Sequence, residues 1–277
     1  MPNKLRLLTR NLVALTGIGA DSTDGAHSTA NLLTRDKTQV WRATGTSATL
    51  FGAAGEELRA STLHLPHCNG SPALTGRLFL YSSATYSGQL LDTGIRQMCP
   101  EPGAEVDGWA AADLANAYEQ GGGAWGRLWF PETAFKSWRL ILNDPGNLQG
   151  QLEAADVYLG PAWSPTYDLE PGGAGVVQRD SSTQFRTAAG SLKVQPGTVH
   201  DEMTLDLTMM HEADRKAARR MLRSLRRRTL FIATLWPDDA DPERERAHSI
   251  YGVLTADAEM ALDGPDNFGT KLQIAQI

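Results

Sequence analysis

The chain has 277 residues, of which 41% are hydrophobic and 21% charged, the values of a globular protein and not of a disordered or fibrous one. A chain of this length buries roughly 75% of its extended surface on folding and needs no covalent staples. A formal net charge of -6 excludes wholesale nucleic-acid binding while leaving room for a local basic patch.

Two cysteines, Cys68 and Cys99, are far too few for a disulfide-built scaffold and read as buried free thiols, with a bridge between them left open. The opening run Met1-Pro-Asn-Lys-Leu-Arg-Leu-Leu-Thr-Arg alternates basic and apolar residues and lacks the unbroken apolar core of a signal peptide, so it reads as a strand or extended arm. No run reaches the roughly 20 apolar residues of a membrane span. Synthesis in the cytoplasm is the expectation.

From residue 31 onward, periodicity favours strands. Asn31-Leu-Leu leads through a polar turn to Thr38-Gln-Val-Trp41-Arg42, and Ser61–Leu65 and Gly76–Tyr81 place apolar residues two apart, with the turn Asn69-Gly-Ser-Pro72 between them. After the glycine break 121–123 comes Trp125–Phe130, and Trp138–Gly160 then reads as a strand, a polar turn and a second strand ending on Gly160. Many short strands and almost no helix signal predict a mainly β, sandwiched fold. Residues 161–175 are rich in proline and glycine and read as a domain linker. Beyond it, 180–190 and 191–197 predict a glycine-turned strand pair, and Met203–Met209 alternates most clearly of all, with Thr204, Asp206 and Thr208 on the wet face. One helix is predicted over 212–228, where Ala218, Met221, Leu222 and Leu225 form an apolar stripe. Strands resume over Leu230–Leu235, Ser249–Leu254 and Thr270–Ile274.

No nucleophile elbow, Walker loop, dinucleotide fingerprint or zinc-protease motif occurs, so neither a catalytic residue nor a cofactor is assigned. His64-Leu-Pro-His67-Cys68 would put its histidines on opposite faces of a strand, which disfavours a metal site. The acidic run Asp238-Asp239-Ala-Asp241-Pro-Glu243-Arg-Glu245 lacks calcium-loop spacing and reads as a solvated loop. Glu132 and Asp144 are isolated acids whose convergence into a glycosidase pair no pattern shows. Of seven tryptophans, Trp41, Trp129 and Trp138 sit in strand patterns and read as core, whereas Trp109 and Trp125 flank a loop and are the candidates for exposed rings that stack on sugar. The helix carries eight basic residues, whose mutual repulsion calls for a negative partner. A subunit interface using Arg219, Arg223, Arg226 and Arg227 against Asp238 and Asp239 of a neighbour would supply it, with solvent or DNA as the alternatives.

Residues up to about 160 resemble discoidin-like, galactose-binding jelly rolls, through Asn31-Leu-Leu, Thr38-Gln-Val-Trp41-Arg42, Arg77-Leu-Phe-Leu-Tyr81-Ser82 and Asp92-Thr-Gly94. The same pattern, followed by strands, one helix and more strands, resembles distal tail proteins at the tail tip of long-tailed bacteriophages and prophages. That resemblance implies a jelly-roll β-sandwich plus a second, ring-forming β-sandwich with one helix. It divides the chain into an arm or ring strand over 1–25, a jelly roll over 26–165 and a ring domain over 166–277. It further implies a virion protein, made in the bacterial cytoplasm, that forms a hexameric ring between tail tube and tip hub and carries a jelly roll able to touch host polysaccharide. Related sugar-binding folds sometimes hold a cation near the start of the jelly roll, which draws attention to Asp21, Asp24 and Asp36. A monomeric carbohydrate-binding module is the competing reading, and a glycan-cleaving enzyme the third.

Overall fold

The structure, a computed structural model, describes residues 5–99, 123–170, 172–258, 260–262 and 268–277. The chain divides into two compact units: Arg10–Ala162 with Asp238–Ala247, and Met1–Thr9 with Trp163–Pro237 and His248–Ile277. In chain order the strands begin with β1 (Arg6–Leu8), β2 (Gly19–Ala20), β3 (Trp41–Arg42), β4 (Ser47–Cys68), β5 (Thr75–Tyr81), β6 (Gln89–Asp92) and β7 (Arg96–Gln97). Next come β8 (Ala124–Asn143), β9 (Glu153–Ala154), β10 (Tyr158–Gly160), β11 (Ala174–Asp180), β12 (Thr183–Arg186), β13 (Leu192–Gln195) and β14 (Val199–Met210). The last are β15 (Phe231–Thr234), β16 (Ser249–Leu254), β17 (Met260–Leu262) and β18 (Phe268–Gln276), and the helices are α1 (Val13–Thr16), α2 (Glu212–Ser224) and α3 (Pro242–Ala247). The protein is mainly β and antiparallel.

The first unit is a jelly-roll sandwich built on two strands much longer than the sequence pattern suggests. β4 has 22 residues and β8 has 20, and they pair along nearly their whole length. Their register shifts between Ala53 and Leu58, Ala60 and Thr62, and Pro66 and Cys68. Each such bulge bends and twists a strand, and the last tolerates Pro66, which has no N–H to give the ladder. One half of the pair, Ser47–Ala53 with Ser137–Asn143, joins β2, β5, β6 and β7, while the other, Leu58–Cys68 with Ala124–Phe135, joins β9 and β10. The expectation of many short strands is corrected accordingly: bulges break the alternation of one continuous strand into apparent pieces. Leu50, Leu63, Leu78, Leu128, Trp138 and Leu140 from both halves meet in one core. Gly52 is required there, because a Cβ would fall 2.5 Å from the Gly17 carbonyl oxygen and 2.7 Å from Trp138 Nε1, which donates to Thr16 Oγ1 at 2.9 Å.

The second unit is a seven-stranded antiparallel sheet ordered β1-β15-β16-β18-β14-β11, with β17 paired to β18. β14 buries Met203, Leu205 and Leu207 in one core with Ala218 and Met221 of α2 and with Leu225, which caps it, so the predicted stripe is the buried face of the helix. The helix starts at His211, whose Nδ1 accepts from the Ala213 N–H, and has Glu212 and Asp214 in its first turn, where the helix dipole favours carboxylates. It stops at Ser224, short of the expected 228. Ser224 Oγ donates to the Met221 carbonyl, Leu225 turns extended, and Arg226 to Thr229 form a turn of their own. β11 and the start of β14 pair at the edge of this sheet, β12 pairs with β13, and Val176, Val177, Phe185, Leu192, Val194 and Val199 of this region are exposed. Among the described residues no helix is long and apolar enough to cross a membrane.

Candidate functional site

A half-exposed polar cluster of the jelly-roll unit forms where β3 meets β9. Their pairing sets Arg42 opposite Glu153, and Arg42 Nε donates to Glu153 Oε1 at 2.6 Å. The turn preceding β3 is stitched to it: Asp24 N–H donates to the Arg42 carbonyl at 2.7 Å and Arg42 N–H to the His27 carbonyl at 3.2 Å. This brings Asp24 Oδ2 to 3.0 Å from His27 Nδ1 and 3.8 Å from Arg42 Nη1. From the other side, Asn69 Oδ1 accepts from the Glu153 N–H at 2.8 Å, and Asn69 Nδ2 donates to Gln149 Oε1 and the Gln151 carbonyl. Asp24, His27 and Arg42 are partly exposed while the Glu153 side chain is almost wholly buried. Glu153 Oε2 has no hydrogen-bond partner among the described residues. A buried oxygen left so carries a standing cost of about 1–3 kcal/mol. The cluster thus offers carboxylate acceptors beside guanidinium and imidazole groups, the complement of a vicinal diol.

The three aspartates near the start of the jelly roll do not converge. Asp21 Oδ1 accepts from the Thr49 N–H, Asp36 Oδ1 from both the N–H and hydroxyl of Thr38, and Asp24 belongs to the cluster above. Thr38 holds the Asp36 carboxyl below its usual value. Asp144, one of the isolated acids, is buried and accepts from the Ser71 N–H and hydroxyl as a turn anchor, whereas Glu132 is exposed beside Arg59.

Trp125, expected to be exposed, is buried. Its Nε1 donates to His64 Nδ1 at 2.8 Å, and the Arg246 guanidinium lies 5.2 Å from its ring centre. Trp109 lies outside the described residues. His64 is enclosed by the edges of Trp125, Trp129 and Tyr158, and burial, aided by the Arg127 charge, drives its pKa down to about 3. His67 falls to about 4 through burial and the Lys37 and Arg246 charges. Next to this knot, Glu245 accepts from Arg127 Nε and, at 2.6 Å, from Trp129 Nε1. Glu245 is 1% exposed, so the reading of 238–245 as a solvated loop is corrected: α3 carries this carboxylate into the jelly-roll unit. Cys68 and Cys99 are free, buried thiols side by side beneath Gly70; the hydrogen bond with Cys68, and then burial, push the Cys99 thiol up.

Of the residues expected at an interface, Arg219, Arg223 and Arg226 are exposed and make no ion pair among the described residues, and Arg227 pairs with Asp257 at 3.1 Å. Arg226 and Arg227 line a cavity of about 290 Å³ floored by Leu222, Leu225 and Leu254. Asp239 pairs with Arg244 at 3.6 Å in its own segment, and Asp238 is exposed with a left-handed backbone, φ 55°. The cluster of Arg42, Glu153, Asn69 and His27 escaped the sequence reading, because its members are up to 126 positions apart and are joined by the Arg42–Glu153 strand pairing and by backbone hydrogen bonds that no local pattern shows.

No family model matches the chain, and no curated protein matches it. Among solved structures, it is similar to a CBM32 domain from Clostridium perfringens in complex with GalNAc-β-1,3-galactose, at TM-score 0.35 and 10% identity over 56% of this chain and 99% of that one. It is similar to the family 32 CBM of C. perfringens NanJ in complex with galactose, at TM-score 0.37 and 8% identity over 56% and 98%. It is also similar to reduced XRCC1 bound to the DNA polymerase β catalytic domain, at TM-score 0.36 and 14% identity over 56% and 98%. Likeness this slight transfers no activity to the chain.

Proposed function

We propose that the chain is a non-catalytic glycan-binding protein whose jelly-roll unit takes a sugar at Asp24, His27 and Arg42. The observation that carries this reading is the half-exposed Asp24–His27–Arg42 set, with Arg42 held on the β3–β9 strand pair by the buried Glu153 carboxylate. A sugar hydroxyl donates to a carboxylate while accepting from a guanidinium or imidazole, so one diol satisfies both halves of the cluster. Screening the full chain on a glycan array, beside Arg42→Ala and the more exposed His27→Ala, tests it: binding in the parent and loss in both variants supports the site. Silence of the parent removes it.

A second reading is favoured by the exposed apolar side chains of β11 to the start of β14. We infer from these, together with the sequence resemblance, a tail-tip protein of a phage virion that assembles through this region into a hexameric ring, against tail-tube and hub proteins. Monomeric soluble proteins rarely expose contiguous apolar surface without a partner. Light scattering and negative-stain imaging of the purified chain at rising concentration decide it: a ring supports assembly, and a persistent 30.0 kDa monomer, alone and with tail proteins, contradicts it.

A further inference from the structure

The outer face of the half-sandwich formed by β4, β8, β5 and β6 carries a row of rings around one arginine. Register places Phe51 and Phe79 on either side of Arg139, with Asp92 beyond Phe79, and the neighbouring row places Tyr81 beside Ser137. Alternation fixes their direction, because Leu50, Leu78, Leu80, Trp138 and Leu140 on these strands fill the core. Tyr86 completes the group from the turn between β5 and β6. Its backbone is left-handed, φ 58°, a costly conformation for a bulky residue, and its ring stands edge-on to Phe51 at 6.1 Å and to Tyr81 at 6.0 Å. Phe79 stacks on Tyr81 at 6.3 Å, and Arg77 covers Phe79 at 4.7 Å while forking Asp92. Asp92 is thereby neutralised, and Arg139 is exposed with no carboxylate partner among the described residues.

We propose that this face is a second binding site, for an acidic polysaccharide. Three observations choose that occupant. Phe51 and Phe79 lie two strand spacings apart, about 10 Å, the reach of a disaccharide laid across the sheet. With Phe79 covered by Arg77, the rings of Phe51, Tyr81 and Tyr86 supply the apolar surface for the C–H faces of pyranoses, and part-exposed Tyr86 adds a hydroxyl. The uncompensated charge is a guanidinium, whose fork fits a uronate carboxylate in two parallel hydrogen bonds. A neutral glycan would leave Arg139 unused, and a basic partner would be repelled by it.

This rests on the glycan-binding reading only for the class of ligand, since it shares no residue with the Arg42 cluster. The test is biolayer interferometry of the full chain against immobilised polygalacturonate and neutral dextran, with Arg139→Ala, Arg139→Lys, Tyr86→Ala and Arg42→Ala, each checked for an unchanged circular dichroism spectrum. The expected result is salt-sensitive binding to polygalacturonate and little to dextran, weakened at least about tenfold by Arg139→Ala and by Tyr86→Ala. Arg139→Lys, which keeps the charge and loses the fork, falls between, and Arg42→Ala binds as the parent does. No binding to polygalacturonate, or parental binding by Arg139→Ala, overturns the proposal whatever the array shows. Loss confined to Arg42→Ala would move the polymer to the first cluster and overturn it equally, and self-association abolished by Tyr86→Ala would give the face to a second copy.

Discussion

Glu245 shows how one buried carboxylate sets the stability of the jelly-roll unit. It is held by Arg127 Nε and Trp129 Nε1, and removing it leaves a largely buried guanidinium without its carboxylate. Breaking a buried pair by truncating one partner costs about 3–5 kcal/mol, so Glu245→Ala should lower the unfolding midpoint of this unit strongly, read by urea titration of tryptophan fluorescence, and Glu245→Gln less. An unaltered midpoint would mean the contact contributes nothing. His64 and His67 add an acid liability with a definite sign. Their folded pKa values, about 3 and about 4, lie below the ordinary 6.5, so between those values the unfolded chain binds protons that the folded chain refuses. Stability therefore falls as pH drops below 6.5, by about 1.36 kcal/mol per pH unit for each histidine, down to pH 4 for His67 and pH 3 for His64. The paired carboxylates Asp92 and Glu212, whose pKa values are lowered by their arginines, act in the same direction. His64→Gln, which keeps an acceptor for Trp125, should flatten the slope between pH 6 and 4; an unchanged slope would refute the assignment. None of this was legible in sequence. The partners of Glu245 lie 118 and 116 positions away, and an acidic run looks solvated until a helix is seen to bury one member of it.

At the scale of elements, alternation and helical spacing were sufficient guides where a segment packs on one face only. Met203, Leu205 and Leu207 are buried as their period demands, as are Ala218, Met221 and Leu225. The pattern misled in two ways. Bulges in β4 and β8 change the face of the strand midway, so two long strands read as several short ones, and Trp125, at the start of β8, was a candidate for exposure because it flanks a loop. The end of α2 was missed because Ser224 and the repulsion of Arg226, Arg227 and Arg228 act on the last turn, a local effect that an apolar stripe does not register. On the exposed face of α2, Arg219 and Arg223 stand one helical turn apart with no ion pair among the described residues. Replacing both by Glu should leave the far-ultraviolet spectrum and the sheet core intact while abolishing any self-association seen by light scattering, because repeated arginine–carboxylate contacts, each worth about 0–1 kcal/mol, act together in an assembly. Unchanged assembly by the double variant would assign the basic face to solvent.

At the scale of the molecule, the mainly β architecture was legible, since turn residues recur between alternating segments over most of the chain. The ownership of 238–247 was not: it belongs to the jelly-roll unit although the segments on either side of it belong to the other, and that placement depends on a single buried side chain. The candidate site was still less legible, as only Asp24 had drawn notice, and for cation binding. What the whole chain is proposed to do rests on that site, and isothermal titration of the full chain with the strongest array ligand tests it most directly. The account predicts saturable binding at one site in the parent, lost in His27→Ala and in Asp24→Ala, whose side chains are partly exposed, with the unfolding midpoints preserved. Undiminished binding by both variants would contradict it.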